Sequence, residues 1–256
     1  MFQLLLLSFL APVALSKSLI VTNNCPYTVW PVISNTEING GYTGPRGWKA
    51  DPGDWHTEEI PQTWNGRIWA RRGCNFDDND PKKGNCLAGG CPTDGLECGD
   101  NMMGDSNLVE MNLNAGSMGQ SLDFYDVSAV PGFVVPITLV PGDSNCQSVA
   151  CTTDLNPTCP DDRMKIIDNG ETIGCLSACM AGIKAPPEVP DSPNCCSGTF
   201  LSHEACQPQM VDYYDFFKIG CPNAYAYPRD EDPTNVRPPV VFTCSPGVPW
   251  YRITFC

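Results

Sequence analysis

The chain of 256 residues carries 29 acidic and only 15 basic side chains, which gives a net charge of −14 at pH 7. Such a surface repels nucleic acids and anionic lipids and so argues against both as partners, whereas it tolerates a neutral polysaccharide. Glycine and proline number 23 and 25, which predicts frequent turns and argues against long helices.

The N-terminus has the pattern of a secretory signal peptide. Residues 4–15 form an apolar run of the usual length, and Ala14-Leu-Ser16 is a small-x-small cleavage site. The run is too short and too poorly flanked to be a membrane anchor. We therefore expect residues 1–16 to be removed and residues 17–256 to be secreted, into the extracellular space or the cell wall.

Short β-like runs separated by turn residues follow one another along the mature chain. They cover residues 18–22, 27–30, 66–70, 108–113, 122–125, 133–139, 240–243 and 251–255. Many short strands of this kind indicate a β-sandwich or a barrel. Between them, residues 164–167 followed by Asp168-Asn-Gly170 predict a β-hairpin, and residues 175–181 are predicted to form a short helix.

Sixteen cysteines lie between Cys25 and the C-terminal Cys256. An even, dense set behind a signal peptide predicts eight disulfides and no free thiol. Spacing leaves the connectivity open, although the adjacent Cys195 and Cys196 are expected to belong to different bridges. Zinc is the alternative, but the chain has two histidines and no C-x-x-C pair. We therefore expect no metal and no cofactor.

Six motifs resemble the thaumatin-like proteins, and the resemblance runs over essentially the whole mature chain. They are NNCPYTVW (23–30), GRIWARRGCNFD (66–77), GFVVP (132–136), FFK (216–218), CPNAYAYP (221–228) and YRITFC (251–256). The resemblance implies a mainly β fold with a sandwich core and two disulfide-rich insertions. The core would comprise residues 17–71, 108–145 and 222–256, with a small loop domain at 72–107 and a disulfide-rich domain at 146–221.

The resemblance also implies a disulfide pairing, and with it high resistance to heat and proteolysis. The implied bridges are Cys25–Cys256, Cys74–Cys86, Cys91–Cys98, Cys146–Cys244, Cys151–Cys221, Cys159–Cys175, Cys179–Cys195 and Cys196–Cys206.

Members of this family carry an acidic cleft framed by one arginine and four carboxylates. The corresponding residues here are Arg67, Glu110, Asp126 and Asp230. The sequence Asp230-Glu-Asp232 leaves the register of the last one open. The fourth carboxylate of the family is replaced by Pro131, which weakens the negative field of the cleft.

Hydrolysis of a glycosidic bond needs one protonated carboxyl and one carboxylate. We predict Glu110 as the acid and Asp126 as the base or nucleophile. Arg67 would keep a neighbouring carboxylate ionised, and Asp230 would tune the field or bind sugar hydroxyls. Whether Glu110 and Asp126 meet depends on the strand register, which the sequence leaves open.

The predicted function is that of a monomeric, secreted endo-β-1,3-glucanase acting on cell-wall β-1,3-glucan. The alternatives are a non-enzymatic glucan-binding protein, which Pro131 favours, and an antifungal defence protein that acts on membranes or receptors. His56 and His203 form no recognisable serine-hydrolase motif. The tryptophans are expected in the core and not on a sugar-stacking surface; they are Trp30, Trp48, Trp55, Trp64, Trp69 and Trp250.

Overall fold

The computed structural model describes residues 16–37, 41–77, 79–93, 95–116, 121–184, 190–231 and 237–256. The first fifteen residues of the predicted signal peptide lie outside these ranges. No helix among the described residues is long and apolar enough to cross a membrane.

The described residues form fourteen β-strands and one α-helix. The strands are β1 Ser16–Asn23, β2 Trp30–Asn35, β3 Trp55–Pro61, β4 Asn65–Cys74, β5 Cys86–Ala88, β6 Leu108–Ala115, β7 Leu122–Ser128, β8 Gly132–Phe133, β9 Ile137–Pro141, β10 Val149–Cys151, β11 Lys165–Asp168, β12 Glu171–Leu176, β13 Val241–Cys244 and β14 Trp250–Phe255. The helix, α1, is Tyr214–Gly220. The prediction of a mainly β fold is confirmed.

Two sheets form the sandwich. One has the order β10-β9-β14-β1-β3, and the other has the order β13-β7-β6-β4-β2 with β5 added to β4. Within the first sheet, β1 runs parallel to β14 and antiparallel to β3. A small third sheet, β11-β12-β8, joins the disulfide-rich segment to the sandwich.

The core lies between the two large sheets because every second side chain of each strand points inward. Leu19 and Val21 of β1 and Ile253 of β14 face Val109 of β6 and Val127 of β7 in one cluster of buried residues. Each fully buried side chain of this size contributes about 1.5–3 kcal/mol. The alternate residues of the same strands therefore form the two outer faces of the sandwich.

All sixteen cysteines are paired, in the eight bridges that the resemblance implies. Cys25–Cys256 joins residues 231 positions apart and ties the start of the sandwich to the end of the chain. A disulfide stabilises a protein by about 2–4 kcal/mol, mainly by restricting the unfolded chain.

The hairpin predicted near residue 170 is confirmed, because β11 and β12 pair antiparallel. The turn residues Asn169 and Gly170 both have positive φ, at 48° and 86°, as a type I′ turn requires. The helix predicted over residues 175–181 is wrong. Cys175 lies in β12 and pairs with Lys165 and Phe133, so pairing on both sides overrides the local helical pattern.

One buried ion pair links β1 to β7. The Lys17 Nζ lies 2.9 Å from the Asp123 Oδ2, and both side chains are almost completely buried. The ammonium also donates hydrogen bonds to the carbonyls of Pro246 and Val248, and the Tyr251 hydroxyl donates to the Asp123 carboxylate at 2.7 Å. The charges are thus compensated within the core.

Candidate functional site

Three of the predicted site residues stand side by side across the sheet that contains β4, β6 and β7. Arg67 of β4 pairs with Glu110 of β6, and Glu110 pairs with Asp126 of β7. Val109 and Met111, which flank Glu110 in sequence, are buried in the core, so the row lies on the outer face of the sheet. The strand register, which the sequence left open, therefore brings Glu110 and Asp126 together.

The first contact in this row is an ion pair. The Arg67 Nε donates a hydrogen bond to the Glu110 Oε1 at 2.8 Å. The side chains are 21% and 37% exposed, so both remain accessible to a ligand. The contact is a charge-assisted hydrogen bond, in which the guanidinium lies against the Glu110 carboxylate.

Asp126 has a different environment although it is the next residue of the row. It is half-buried, and its Oδ1 is buried without a hydrogen-bond partner among the described residues. Burial raises the pKa of the Asp126 carboxyl well above its usual range, and the negative charges of Glu110 and Glu231 raise it further, against the opposing effect of Arg67. The Asp126 carboxyl therefore retains its proton to higher pH than an ordinary aspartic acid does.

Asp230, the fourth predicted residue, does not join this row. It is 1% exposed, and its carboxylate lies 2.9 Å from the Lys218 Nζ and 2.6 Å from the Arg237 Nη1. The backbone N–H of Ala226 donates to it as well. These contacts hold the segment that follows α1 in place, and they leave Asp230 no access to a ligand.

The next residue, Glu231, supplies the acidic group near Asp126. The Tyr225 hydroxyl donates a hydrogen bond to the Glu231 Oε1 at 2.8 Å, and the His203 Nε2 lies 3.8 Å from the Glu231 Oε2. Burial and the hydrogen bond to Glu231 raise the pKa of Tyr225, so its hydroxyl remains a donor. Sequence reasoning gave no site role to Tyr225 or His203, and it left Glu231 as one of the open positions of Asp230-Glu-Asp232.

Tyr225 is positioned by backbone pairing alongside β7. Its N–H donates to the Val127 carbonyl at 2.9 Å, and its carbonyl accepts from the Ala129 N–H at 2.7 Å. The sequence does offer a signal for Tyr225, because it lies in the CPNAYAYP motif shortly before the acidic segment Asp230-Glu-Asp232.

At Pro131, where the family resemblance expects a carboxylate, the residue is buried. Its carbonyl accepts a hydrogen bond from the Ser177 N–H at 3.0 Å. The acidic cluster thus contains Glu110, Asp126 and Glu231 but no acidic group at position 131.

A second row of side chains lies beside the first. Two residues away along each strand, Asn65 pairs with Asn112 and Asn112 pairs with Phe124. Since side chains two residues apart share a face, these amides and this aromatic ring extend the surface around Arg67 and Asp126. Amides that can pair with hydroxyl groups and a ring that can pack on a sugar face suit a carbohydrate ligand.

We expect the Asp126→Asn variant to be more stable than the wild type at neutral pH. The raised pKa means that the folded protein binds this proton more tightly than the unfolded chain. Wild-type stability therefore falls as the pH rises from the unfolded-state pKa through the folded-state pKa. Asparagine remains neutral, so the gain should disappear as the pH falls towards the unfolded-state pKa.

Urea unfolding at neutral and at acidic pH measures this difference in the free energy of unfolding. Glu110→Gln is the matched control, because it removes the ion pair with Arg67 and should bring no such gain. An Asp126→Asn variant less stable than the wild type at neutral pH would contradict the raised pKa.

Comparisons with known proteins bear on this site. The model of the thaumatin family matches residues 23–256. The chain is 39% identical over 238 residues to pathogenesis-related thaumatin-like protein 3.4 of Cryptomeria japonica, covering 92% of this chain and 80% of that protein. It is 34% identical over 237 residues to a protein of Prunus avium named glucan endo-1,3-beta-glucosidase, covering 91% and 88%.

Among solved structures, the GH family 64 laminaripentaose-producing beta-1,3-glucanase of Paenibacillus barengoltzii has a similar fold. The TM-score is 0.52 at 14% sequence identity, over 95% of this chain and 76% of that chain. At this identity the likeness concerns the fold alone. The family model covers the chain from residue 23 to its end, and we conclude that the chain belongs to the thaumatin family.

Proposed function

We propose that this protein is a secreted endo-β-1,3-glucanase that hydrolyses cell-wall glucan at the Arg67–Glu110–Asp126 row. The observation that carries the proposal is the contrast between two adjacent carboxyls. Asp126 is half-buried, with one buried, unpartnered oxygen and a raised pKa, whereas Glu110 is paired with a guanidinium. Glycoside hydrolases need such a pair, a protonated acid and an ionised carboxylate. The relative from Prunus avium that is named as a glucan endo-1,3-beta-glucosidase supports the choice of substrate.

The environments favour the reverse of the roles predicted from the sequence. Asp126 would donate its proton to the leaving glycosidic oxygen, because burial and neighbouring charges keep it protonated. Glu110 would activate water or attack the sugar, because its carboxylate is accessible and accepts the hydrogen bond from the Arg67 guanidinium. Glu231, held by Tyr225, would add negative charge to stabilise an oxocarbenium-like transition state.

A second candidate is a non-enzymatic β-1,3-glucan-binding protein with a role in defence. Pro131 favours it, because the family carboxylate at this position is absent and the cleft has less negative charge. The same amides and carboxylates would then hold the sugar through hydrogen bonds without cleaving it.

Incubation with a soluble linear β-1,3-glucan separates the two candidates. An endo-acting hydrolase lowers the viscosity of the solution well before reducing ends accumulate. The proposal expects this early fall in viscosity, whereas binding without cleavage leaves the polymer length unchanged and would contradict it.

We expect Arg67→Gln to move the high-pH limb of the pH–rate profile to higher pH. Removing the guanidinium removes the positive charge that opposes the raised pKa of Asp126. Asp126 would then keep its proton to higher pH. The measurement is kcat/KM against pH for both proteins, and an unchanged high-pH limb would contradict the role of Arg67.

A further inference from the structure

The outer face of the other large sheet carries an open groove of about 440 Å³. It is formed by side chains of β1, β3 and β14 that alternate with core residues. We call this surface the Trp55 face; its main residues are Ile20, Thr22, Trp55, Thr57, Arg252 and Thr254. Trp55 is 70% exposed, so the prediction that it belongs to the core is wrong.

The strand register aligns the groups of this face. Trp55 pairs with Thr22, Thr22 pairs with Thr254, and Thr254 pairs with Thr138 of β9. Neighbouring strands are about 4.8 Å apart, so the row spans roughly 14 Å across four strands. It presents one indole and a line of hydroxyl groups on a single surface.

The charge of the face sets it apart from the rest of the molecule. No carboxylate is among the residues that form the groove, although the chain carries a net charge of −14. Arg252 lies over the Trp250 ring at 5.3 Å and has no ion pair with any described residue. The acid of β3 on this side, Glu59, accepts a hydrogen bond from Ser18 of the predicted mature chain.

We propose that the Trp55 face is a second carbohydrate-binding surface that takes a strand of neutral polysaccharide. An exposed indole packs on the apolar face of a sugar ring, and neighbouring hydroxyls and a guanidinium bind the sugar hydroxyls. A neutral strand fits because the overall negative charge of the protein disfavours polyanions. Naming the strand as β-1,3-glucan rests on the proposed function.

The two surfaces point in opposite directions. The Arg67–Glu110–Asp126 row lies outside β4, β6 and β7, the Trp55 face lies outside β1, β3 and β14, and the common core separates them. One short oligosaccharide cannot span both surfaces. The protein can therefore hold one glucan strand at the Trp55 face while the cleft takes another.

Binding to insoluble β-1,3-glucan particles, measured by depletion from solution, tests this inference. Trp55→Ala is expected to weaken the affinity about tenfold, and the isosteric Thr22→Val should weaken it less. The matched control is Ile219→Ala on α1, because Ile219 is 79% exposed and lies outside both surfaces. It should bind like the wild type.

A second readout monitors the site directly and does not depend on hydrolysis. The readout is the NMR signal of the Trp55 indole N–H in the Glu110→Gln variant. Its loss in Trp55→Phe assigns it, and it should shift when soluble glucan is added. The shift of the Trp55 signal is expected even if the protein has no hydrolase activity. Failure of the proposed function can therefore be distinguished from failure of this inference. The inference is overturned by an unmoved Trp55 signal, by wild-type affinity in Trp55→Ala, or by a wild-type dimer that Trp55→Ala converts to a monomer.

Discussion

Replacing Asp126 with asparagine is expected to slow the hydrolysis of polymeric β-1,3-glucan by about 10²–10⁴-fold, the usual contribution of a general acid. Asparagine has nearly the same shape but cannot give a proton to the leaving sugar oxygen. We propose this role for Asp126 because burial and the charges of Glu110 and Glu231 raise its pKa. The measurement is kcat/KM on the soluble polymer for the folded variant and the wild type.

A substrate with a better leaving group distinguishes acid from base. An aryl β-glucan oligoside that releases an acidic phenol needs no protonation, so Asp126→Asn should retain much of the wild-type rate on it. Glu110→Gln should lose activity on both substrates, since the ionised carboxylate is needed in either case. Equal losses by Asp126→Asn on both substrates would contradict its assignment as the acid.

Replacing Lys17 with methionine is expected to lower the free energy of unfolding by about 3–5 kcal/mol. Methionine fills the space but leaves the Asp123 carboxylate buried without the cation that lies 2.9 Å away in the wild type. The hydrogen bond from Tyr251 remains, but it does not supply a compensating charge. Urea unfolding at neutral pH measures the loss.

Two control variants show whether Lys17→Met loses stability because it leaves a buried charge unpaired or because it changes the packing. In Lys17→Met combined with Asp123→Asn, the amide oxygen can accept from the Asn114 N–H, which donates to Asp123 in the wild type, and the amide NH2 can donate to the Tyr251 hydroxyl. Most of the lost stability should therefore return. Lys49→Met breaks an exposed pair with Asp51 in which both partners are more than half exposed, and should change stability by at most about 1 kcal/mol. A Lys17→Met variant as stable as Lys49→Met would contradict the account.

The sandwich could be predicted from the sequence because short β-like runs and the turn residues between them are local features of the chain. Successive side chains of a strand point to opposite faces, and in β6 Val109 and Met111 are buried while Glu110 between them is not. The pairing of Glu110 with Asp126 could not be predicted, because it depends on the register between strands. The choice between Asp230 and Glu231 was equally inaccessible, because a shift of one residue decides which side chain enters the ion pair with Lys218.

The different environments of the two carboxyls were also beyond sequence reasoning. Glu110 and Asp126 are both carboxylic acids on adjacent strands, and only their surroundings differ. The ion pair with Arg67 and the buried oxygen of Asp126 arise from tertiary packing. The exposure of Trp55 could not be predicted for the same reason, because the pairing of its sheet decides whether a tryptophan in a β-strand faces the core or the solvent.

The most direct measurement of the central claim is the release of reducing ends from soluble linear β-1,3-glucan at mildly acidic pH. The wild type and a refolded Glu110→Gln variant would be compared, with pull-down on insoluble glucan in parallel. The account predicts that the wild type releases reducing ends, that Glu110→Gln does not, and that both bind insoluble glucan. A wild type that binds insoluble glucan but releases no reducing ends would contradict the account, because the protein would then hold the polymer without cutting it.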